Sequence, residues 1–361
     1  MTESQAVPHP PAMPAENQLF EPACDRANVA IVFNPVSGTE DPATRRSTLE
    51  ELARGAGLTC GLVETDRERG AGPLAERAVA DGVERLIVAG GDGSATEAAH
   101  VLVGTATALA VLPAGTGNLL ALNLGIPLDH EEALRLALTG DAKPIDVGRA
   151  NGAAFIIAVG LGLDARIIRD ANREMKRRWG KLAYFITGWR NLRRPNDPYT
   201  IIVDGRRARR TAQTVMIANL GRITGGLELV PDTDPTDGLL EVAILRSRHV
   251  PDLARLAWRM VVGGSHPADV LEVQHAQHVV VETTVPQPLQ LDGNEAGRTT
   301  RLEVTVEPGG LLLVRPDPPE PMPVVAVVAA TSRRPRAIAV AGVGAIALLA
   351  WLTQRRRRVP Q

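Results

Sequence analysis

Arg85-Leu86-Ile87-Val88-Ala89 runs straight into Gly90-Gly91-Asp92-Gly93-Ser94, after which a helical pattern begins. A strand, a glycine turn and a helix N-terminus form an arrangement that binds phosphate. Glycine lets the backbone come close, and free N–H groups with the helix dipole favour an anion. Asp92 places a carboxylate where bare phosphate would be repelled, which implies a metal ion or a proton acceptor beside a nucleotide. Taken alone, the turn reads equally well as a loop whose glycines supply φ > 0. It does not stand alone. Asn34-Pro35-Val36-Ser37-Gly38 follows the apolar run Val29–Phe33, and Pro113-Ala114-Gly115-Thr116-Gly117-Asn118 follows Ala108–Leu112. Loops after strand ends gather on one edge of a doubly wound sheet, where ligands bind.

Three further groups of residues could carry chemistry. Asp232, Asp234 and Asp237 put oxygen ligands within one turn, which suits a hard cation; the residues alone are read as simply as a solvated acidic turn. Leu291-Asp292-Gly293-Asn294-Glu295 sets two carboxylates beside a turn. Arg173–Arg194 holds eight basic residues against Glu174, with Trp179, Tyr184, Phe185 and Trp189 among them. Cations beside Trp and Tyr suit an anionic lipid interface, and a solvated helix face over the core fits equally well.

The elements that position these groups follow from period. Strands are expected at Val29–Phe33, Leu58–Val63, Leu86–Ala89 and Ala108–Leu112, and helices at Pro42–Arg54, Pro73–Ala80, Ser94–Leu102, Thr116–Leu122 and Glu131–Leu138. Near-continuous apolar strands separated by helices imply a parallel sheet covered on both faces, with right-handed crossovers. The second half changes period. Tyr199–Val203 leads through Asp204-Gly205, a hairpin signature, into Arg206–Ala218. Gly238–Leu245, Leu271–Val273, His278–Thr283, Leu289–Asp292 and the alternating 302–306 add short strands. Helices are expected near Asp164–Asn172, Lys181–Asn191 and Pro251–Val262. The fold class is α/β: a Rossmann-like N-terminal domain plus a β-sandwich-like C-terminal domain with a cleft between them, and a C-terminal apolar helix. The expected divisions are a tail over 1–26, domains over 27–145 and 146–315, a Pro-rich linker over 316–336, an apolar helix over 337–353 and a basic tail over 354–361.

That apolar helix, Ala337–Thr353, is uncharged and spans roughly 26 Å at about 1.5 Å per residue, a little under a ~30 Å hydrocarbon core. Arginines flank it at 333, 334, 336 and 355–358, so it is expected to be a membrane anchor. The 361 residues carry a net charge of -1 with 3% aromatics, which excludes a broad basic nucleic-acid surface and base-stacking platforms. Residues 333–361 contain seven arginines and no acid, so the near-neutral average conceals an acidic body joined to a basic, apolar tail. Cys24 and Cys60 fit neither a disulfide framework nor a zinc site.

At Asn34-Pro-x-Ser-Gly38, Thr65, Gly90-Gly-Asp-Gly-Ser-x-x-Glu97, Pro113-x-Gly-Thr-x-Asn118, Ile145-Asp-Val-Gly148, Gly160-x-Gly-x-Asp164 and Asp237-Gly-Leu239, the sequence resembles the diacylglycerol-kinase catalytic family, which includes bacterial lipid kinases and sphingosine kinases. The resemblance covers nearly everything between residues 27 and 315. It implies a two-domain, ATP-dependent kinase that phosphorylates a lipid hydroxyl in phospholipid metabolism, with Mg2+. ATP supply and the apolar C-terminal helix place it at the cytoplasmic face of the cell membrane as an expectation. ATP would be surrounded by Asn34, Ser37, Gly38, Thr65, Gly90, Gly91, Asp92, Gly93, Ser94, Glu97, Thr116 and Asn118. Asp237, with Asp234 and Leu239, matches the family's magnesium position. The partners implied are the lipid and the membrane, without nucleic acid, and a homodimer is compatible with this plan.

One departure stands out. The family usually shows Asp-Gly-Glu late in the second domain, its Glu taken as the base on the lipid hydroxyl, and this chain has Asn294 there. Phosphoryl transfer leans on positioning and charge stabilisation, so Asp92, Asp292 or Glu295 is expected to serve. The alternatives are a membrane-attached nucleotide-binding module without catalysis and, ranked lower, NAD kinase, which shares the glycine–aspartate turn but lacks the Asn-Pro-x-Ser-Gly and Pro-x-Gly-Thr-x-Asn pair.

Overall fold

The computed structural model describes residues 29–37, 41–55, 62–66, 69–115, 117–162, 165, 196–223, 227–230, 233–246, 252, 256 and 267–317. They form two compact units, one built from described residues up to Pro144 with Leu311–Asp317, the other from Ile145–Gly310.

In the first unit, β1 (Val29–Phe33), β2 (Leu62–Glu64), β3 (Arg85–Gly90) and β4 (Ala108–Pro113) form a parallel sheet in the order β2-β1-β3-β4. Between and after the strands lie α1 (Pro42–Gly55), α2 (Ala71–Ala80), α3 (Asp92–Leu102), α4 (Leu119–Leu124) and α5 (His130–Thr139). Burial on both faces explains the apolar strands: Leu86, Ile87 and Val88 are all fully buried, each stabilising the unit by about 1.5–3 kcal/mol. Val29, Ile31 and Phe33 pack with α1 and α5 residues such as Leu49, Ala53, Leu134 and Ala137. Strand order reverses direction between β1 and β3, so the crevice at their carboxyl ends is the place where such sheets take ligands.

Helix starts follow local chemistry. Asp41 accepts the Thr44 amide at 3.0 Å, ahead of Pro42 at the first position of α1. Asp129 accepts the amides of Glu131 and Glu132 at the start of α5. Three starts differ from expectation by two residues or more. α2 begins at Ala71 rather than Pro73, with extended Gly70 at its cap. α3 begins at Asp92 rather than Ser94, because Gly91 is extended and already caps the helix. α4 begins at Leu119 rather than Thr116, because Asn118 takes a left-handed conformation (φ 50°) just before it.

The second unit is antiparallel. β5 (Ala142–Ala150) enters from the first unit, followed by β6 (Ala153–Phe155), β7 (Ala158–Gly162), β8 (Asp197–Val203), β9 (Arg206–Ala212), β10 (Thr214–Ala218), the small pair β11 (Arg222–Ile223) and β12 (Leu227–Glu228), β13 (Leu240–Leu245), β14 (Leu271–Ala276), β15 (His278–Leu291) and β16 (Asn294–Val314). Neighbours run β14-β13-β10-β7-β15-β16, with β8 and then β9 beside β15. The inward faces of β7, β8, β10, β13, β15 and β16 share one core around Tyr199, Ile217, Val242, Val281 and Leu302.

Here too the expectations need correction. The run Arg206–Ala218 is two strands parted at Gln213, whereas the runs 278–283 and 289–292 belong to one strand whose register shifts between Glu282 and Gln287. The shift falls at Pro286, which has no N–H to donate. Asp292 leaves that strand for the turn. β5, β6 and β7 appear where no strand was expected. Most residues of the helices expected at 164–172, 181–191 and 251–262 lie outside the described residues, as do the tail over 1–26 and the apolar run 337–353. Among the described residues, no helix is long and apolar enough to cross a membrane.

Candidate functional site

In the first unit three loops meet at the N-terminus of α3. Asn34 donates its side-chain amide to Ser94 Oγ at 2.8 Å, while its Oδ1 accepts the Val36 amide. Ser37 Oγ accepts the Gly91 amide at 3.2 Å. The third loop arrives through glycine: a Cβ on Gly115 would lie 2.7 Å from the Gly91 Cα, so the two backbones touch. Asn118 Oδ1 accepts the Gly115 amide at 2.8 Å and fixes the bend before α4. The first intrahelical acceptor, the Gly91 carbonyl, takes the Ala95 amide. The amides of Asp92, Gly93 and Ser94 therefore precede the helix ladder and point out of its positive end. Such an arrangement can seat a phosphate.

Asp92 stands within this seat and is tied to the next element, because its Oδ1 accepts the Leu119 amide. Burial raises its carboxyl above the ordinary value, against the pull of amides at the start of α4. A side chain at Gly117 would collide with its Oδ2. Thr65 is buried after β2, its amide donating to the Phe33 carbonyl at 2.9 Å. Gly90 is buried against Ser94. Glu97 is placed one helical turn away from the loops, where Oε2 accepts the Ala71 amide at 3.2 Å and caps α2. Gly38 and Thr116 lie outside the described residues.

Sequence reasoning missed Arg45. This α1 side chain is buried, its guanidinium lies 5.0 Å from the centre of the Phe33 ring, and it donates to the Ser37 carbonyl. It holds the Asn34–Ser37 loop from beneath. Only its helical register with Leu49 and Ala53 (i+4, i+8) hinted at an inward face.

The second unit carries two groups. At Asp234–Leu239 the chain turns tightly: Asp234 Oδ1 accepts the Thr236 amide and hydroxyl at 3.0 and 2.6 Å, and Asp237 Oδ1 accepts the Leu239 amide at 2.9 Å. Buried Asp146 braces the turn, accepting Gly238 N at 2.7 Å and Gly309 N at 2.9 Å. Beneath lies Glu241, 2% exposed, whose Oε2 has no hydrogen-bond partner. Burial, with smaller repulsion from Asp237 and Asp234, pushes its carboxyl up to about 8. An orphaned buried carboxylate oxygen beside two exposed aspartates fits a hard divalent cation. Among the described residues no three acidic or imidazole groups converge into a cage, so main-chain carbonyls and water would complete its oxygen shell.

The other group is the β15–β16 turn. Asp292 and Gly293 both have positive φ (45° and 79°). The Asp292 carboxylate is held by three main-chain amides: Ile156 to Oδ2 at 2.8 Å, and Ile157 and Ala158 to Oδ1 at 2.7 and 3.0 Å. It ties the hairpin to the start of β7. Asn294 pairs with Leu291 and Glu295 with Gln290. Successive strand residues face opposite ways, so the exposed Glu295 carboxylate is presented on the other face from Asn294.

Comparison with known proteins agrees with this division. Residues 28–150 match the diacylglycerol kinase catalytic domain, and residues 157–315 match the YegS C-terminal NAD kinase beta sandwich-like domain. A diacylglycerol kinase of Bacillus subtilis is 30% identical over 279 residues, 74% of this chain and 89% of that protein. A diacylglycerol kinase of Mycobacterium tuberculosis is 31% identical over 255 residues, 67% and 80% of the two chains. A crystal structure of a diacylglycerol kinase from Bacillus anthracis shares the fold, with a TM-score of 0.67 at 23% identity over 81% of this chain and 98% of that one. The chain belongs to the diacylglycerol kinase catalytic-domain family, a family of lipid kinases.

Proposed function

We propose that the protein transfers the γ-phosphoryl group of ATP to the hydroxyl of a diacylglycerol-like lipid. The observation that carries this reading is the seat at α3, where three loops are locked together around amides that no helical carbonyl satisfies. In the transfer, the bond from the β,γ-bridging oxygen to the γ-phosphorus breaks, a bond from the lipid oxygen to that phosphorus forms, and the hydroxyl proton is released. The amides of Asp92, Gly93 and Ser94 would hold phosphate oxygens, and Asn34 and Ser37 would fix the loop that faces them. A transition state of this kind needs position and charge balance more than a strong base. With Asn294 in the family's base position and Asp292 engaged by three main-chain amides, this chain relies on that positioning. Asp292 is then a positioning residue for the hairpin, and Glu295, carried on the face opposite Asn294, does not replace the missing base.

Mg2+ suits Asp234 and Asp237 as oxygen donors, with Glu241 as the buried charge that the cation offsets; it would supply positive charge and hold the Asp234–Leu239 turn. The apolar run 337–353 between arginines supports anchorage at the cytoplasmic face of a membrane, where both ATP and lipid are available.

The test is a panel of hydroxyl-bearing lipids with γ-labelled ATP and Mg2+, run beside an active relative and with NAD as a competing acceptor. Labelled lipid is the expected product. Label only in NADP, or ATP binding without any labelled lipid, overturns the reading. In the second case activity gained by Asn294→Glu would identify a nucleotide-binding module that has lost its base.

A further inference from the structure

Ser37 is the joint of the first loop. Its amide donates to the Asn34 carbonyl at 3.3 Å, its Oγ accepts the Gly91 amide at 3.2 Å, and its carbonyl accepts from the Arg45 guanidinium. The loop is therefore fastened to α3 on one side and to α1 on the other. Its start needs no such help, because the Asn34 amide donates to the Ala89 carbonyl at 2.9 Å and prolongs the ladder between β1 and β3. A hydroxyl that accepts one amide still has a hydrogen to give. The Ser37 hydrogen meets no acceptor among the described residues. Gly91 lies just before Asp92, Gly93 and Ser94, so this hydrogen stands beside the amides that open α3.

Arg45 is out of keeping with its place on α1. Leu49 and Ala53, one and two turns further on, are buried and apolar. An apolar side chain at 45 would continue that stripe without the desolvation cost of a buried cation. The guanidinium is instead 5% exposed, lies 5.0 Å from the centre of the ring of Phe33, the last residue of β1, and reaches Ser37. The aromatic face steadies the planar group and leaves its N–H edge for the carbonyl. The next residue, Arg46, behaves as a surface arginine and pairs with Glu50 and Glu64 on the exposed side of the helix.

We infer that Arg45 is a positioning residue for the phosphates of ATP: by holding the Ser37 carbonyl it keeps the Ser37 hydroxyl beside the α3 amides, where that hydroxyl donates to a phosphate oxygen. The inference rests on the reading that ATP occupies these loops. It goes beyond that reading by giving the nucleotide's affinity to a side chain that does not touch it.

The test is a double-mutant cycle on ATP binding, measured by calorimetry on the full chain with Mg2+ and without lipid. Arg45→Met keeps the length and the apolar stem, and it should weaken ATP about tenfold or more, the scale of one hydrogen bond to a charged group. Ser37→Ala should weaken it to a similar degree. In the Ser37→Ala background Arg45→Met should then cost less than about threefold, because the hydroxyl it served is gone. Arg45→Lys keeps a donor for the carbonyl and should recover most of the affinity lost in Arg45→Met. A role confined to the stability of α1 would lower the thermal midpoint and leave the affinity of the folded protein unchanged. A long-range effect of charge would make the two substitutions additive. Either result overturns the inference, and so does unchanged affinity in Ser37→Ala, a loop change that can be read even where Arg45→Met does not fold. Labelled lipid together with an additive cycle would remove the inference and keep the kinase reading; a non-additive cycle without any labelled lipid would do the reverse.

Discussion

Asp292→Asn separates a positioning carboxylate from a catalytic base. Residue 292 has φ 45°, a conformation that Asn tolerates as well as Asp, so the exchange leaves the turn intact and changes only the carboxylate. Its remaining oxygen can still accept from Ile157 and Ala158. The new NH2 group then faces the Ile156 amide, now 2.8 Å from Oδ2, and two donors confront each other. Bonds to a charged acceptor contribute about 1.5–3 kcal/mol each. One bond lost and two weakened give roughly 3–4 kcal/mol. For a unit of this size that is about 6–16 °C in the thermal midpoint, at 2–4 °C per kcal/mol. Circular dichroism on the full chain reads the midpoint, and a lipid-phosphorylation assay on the same sample reads kcat. A midpoint within 2 °C of wild type accompanied by a large fall in kcat would refute the positioning role and make Asp292 the base.

Three other outcomes follow from the geometry. Gly115→Ala places a Cβ 2.7 Å from the Gly91 Cα and must spread two loops, so ATP affinity measured by calorimetry should fall at least about tenfold while the thermal midpoint changes little; unchanged affinity would break the link between this contact and the nucleotide. Glu97→Ala should lower stability by about 1 kcal/mol through loss of the α2 cap with ATP affinity unchanged, and the opposite pattern would restore Glu97 to the nucleotide site. Glu241, raised to about 8 from its ordinary 4.5, keeps its proton in the folded chain over a range where the unfolded chain has lost it. Its contribution is therefore fully present below about pH 4.5 and lost as pH rises to 8, at up to about 1.4 kcal/mol per unit. In chelator, Glu241→Gln should flatten that decline between pH 5.5 and 8 against the facing Asp234 and Asp237, and Mg2+ should raise the wild-type midpoint more than that of Asp237→Asn.

The first unit was largely legible because its signals are local. β1, α1, β3 and β4 were found to within a residue or so, since apolar runs buried on both faces and Asp41-Pro42 leave direct marks in sequence. The convergence of the Asn34, Gly91 and Gly115 loops followed from sheet topology alone. The second unit hid more, for a physical reason. Its ladders pair residues far apart, such as Leu161 with Val215 and Leu289, and β5 to β7 are rich in alanine and glycine with little alternation to read. The same remoteness hides what the acids are bonded to. Asp92, Glu97, Asp146 and Asp292 were all visible as carboxylates, but each accepts amides from a segment between 26 and 163 residues away. A motif lists donors and acceptors without saying which are already paired. In this chain the acids that look most reactive include those that hold the loops in register, and removing them tests architecture before it tests chemistry. Asn294 bears on the same point: a fold whose hairpin is fixed by Asp292 keeps its shape when the neighbouring base is exchanged for an amide, because the residue that sets the turn and the residue that would take the proton are different ones.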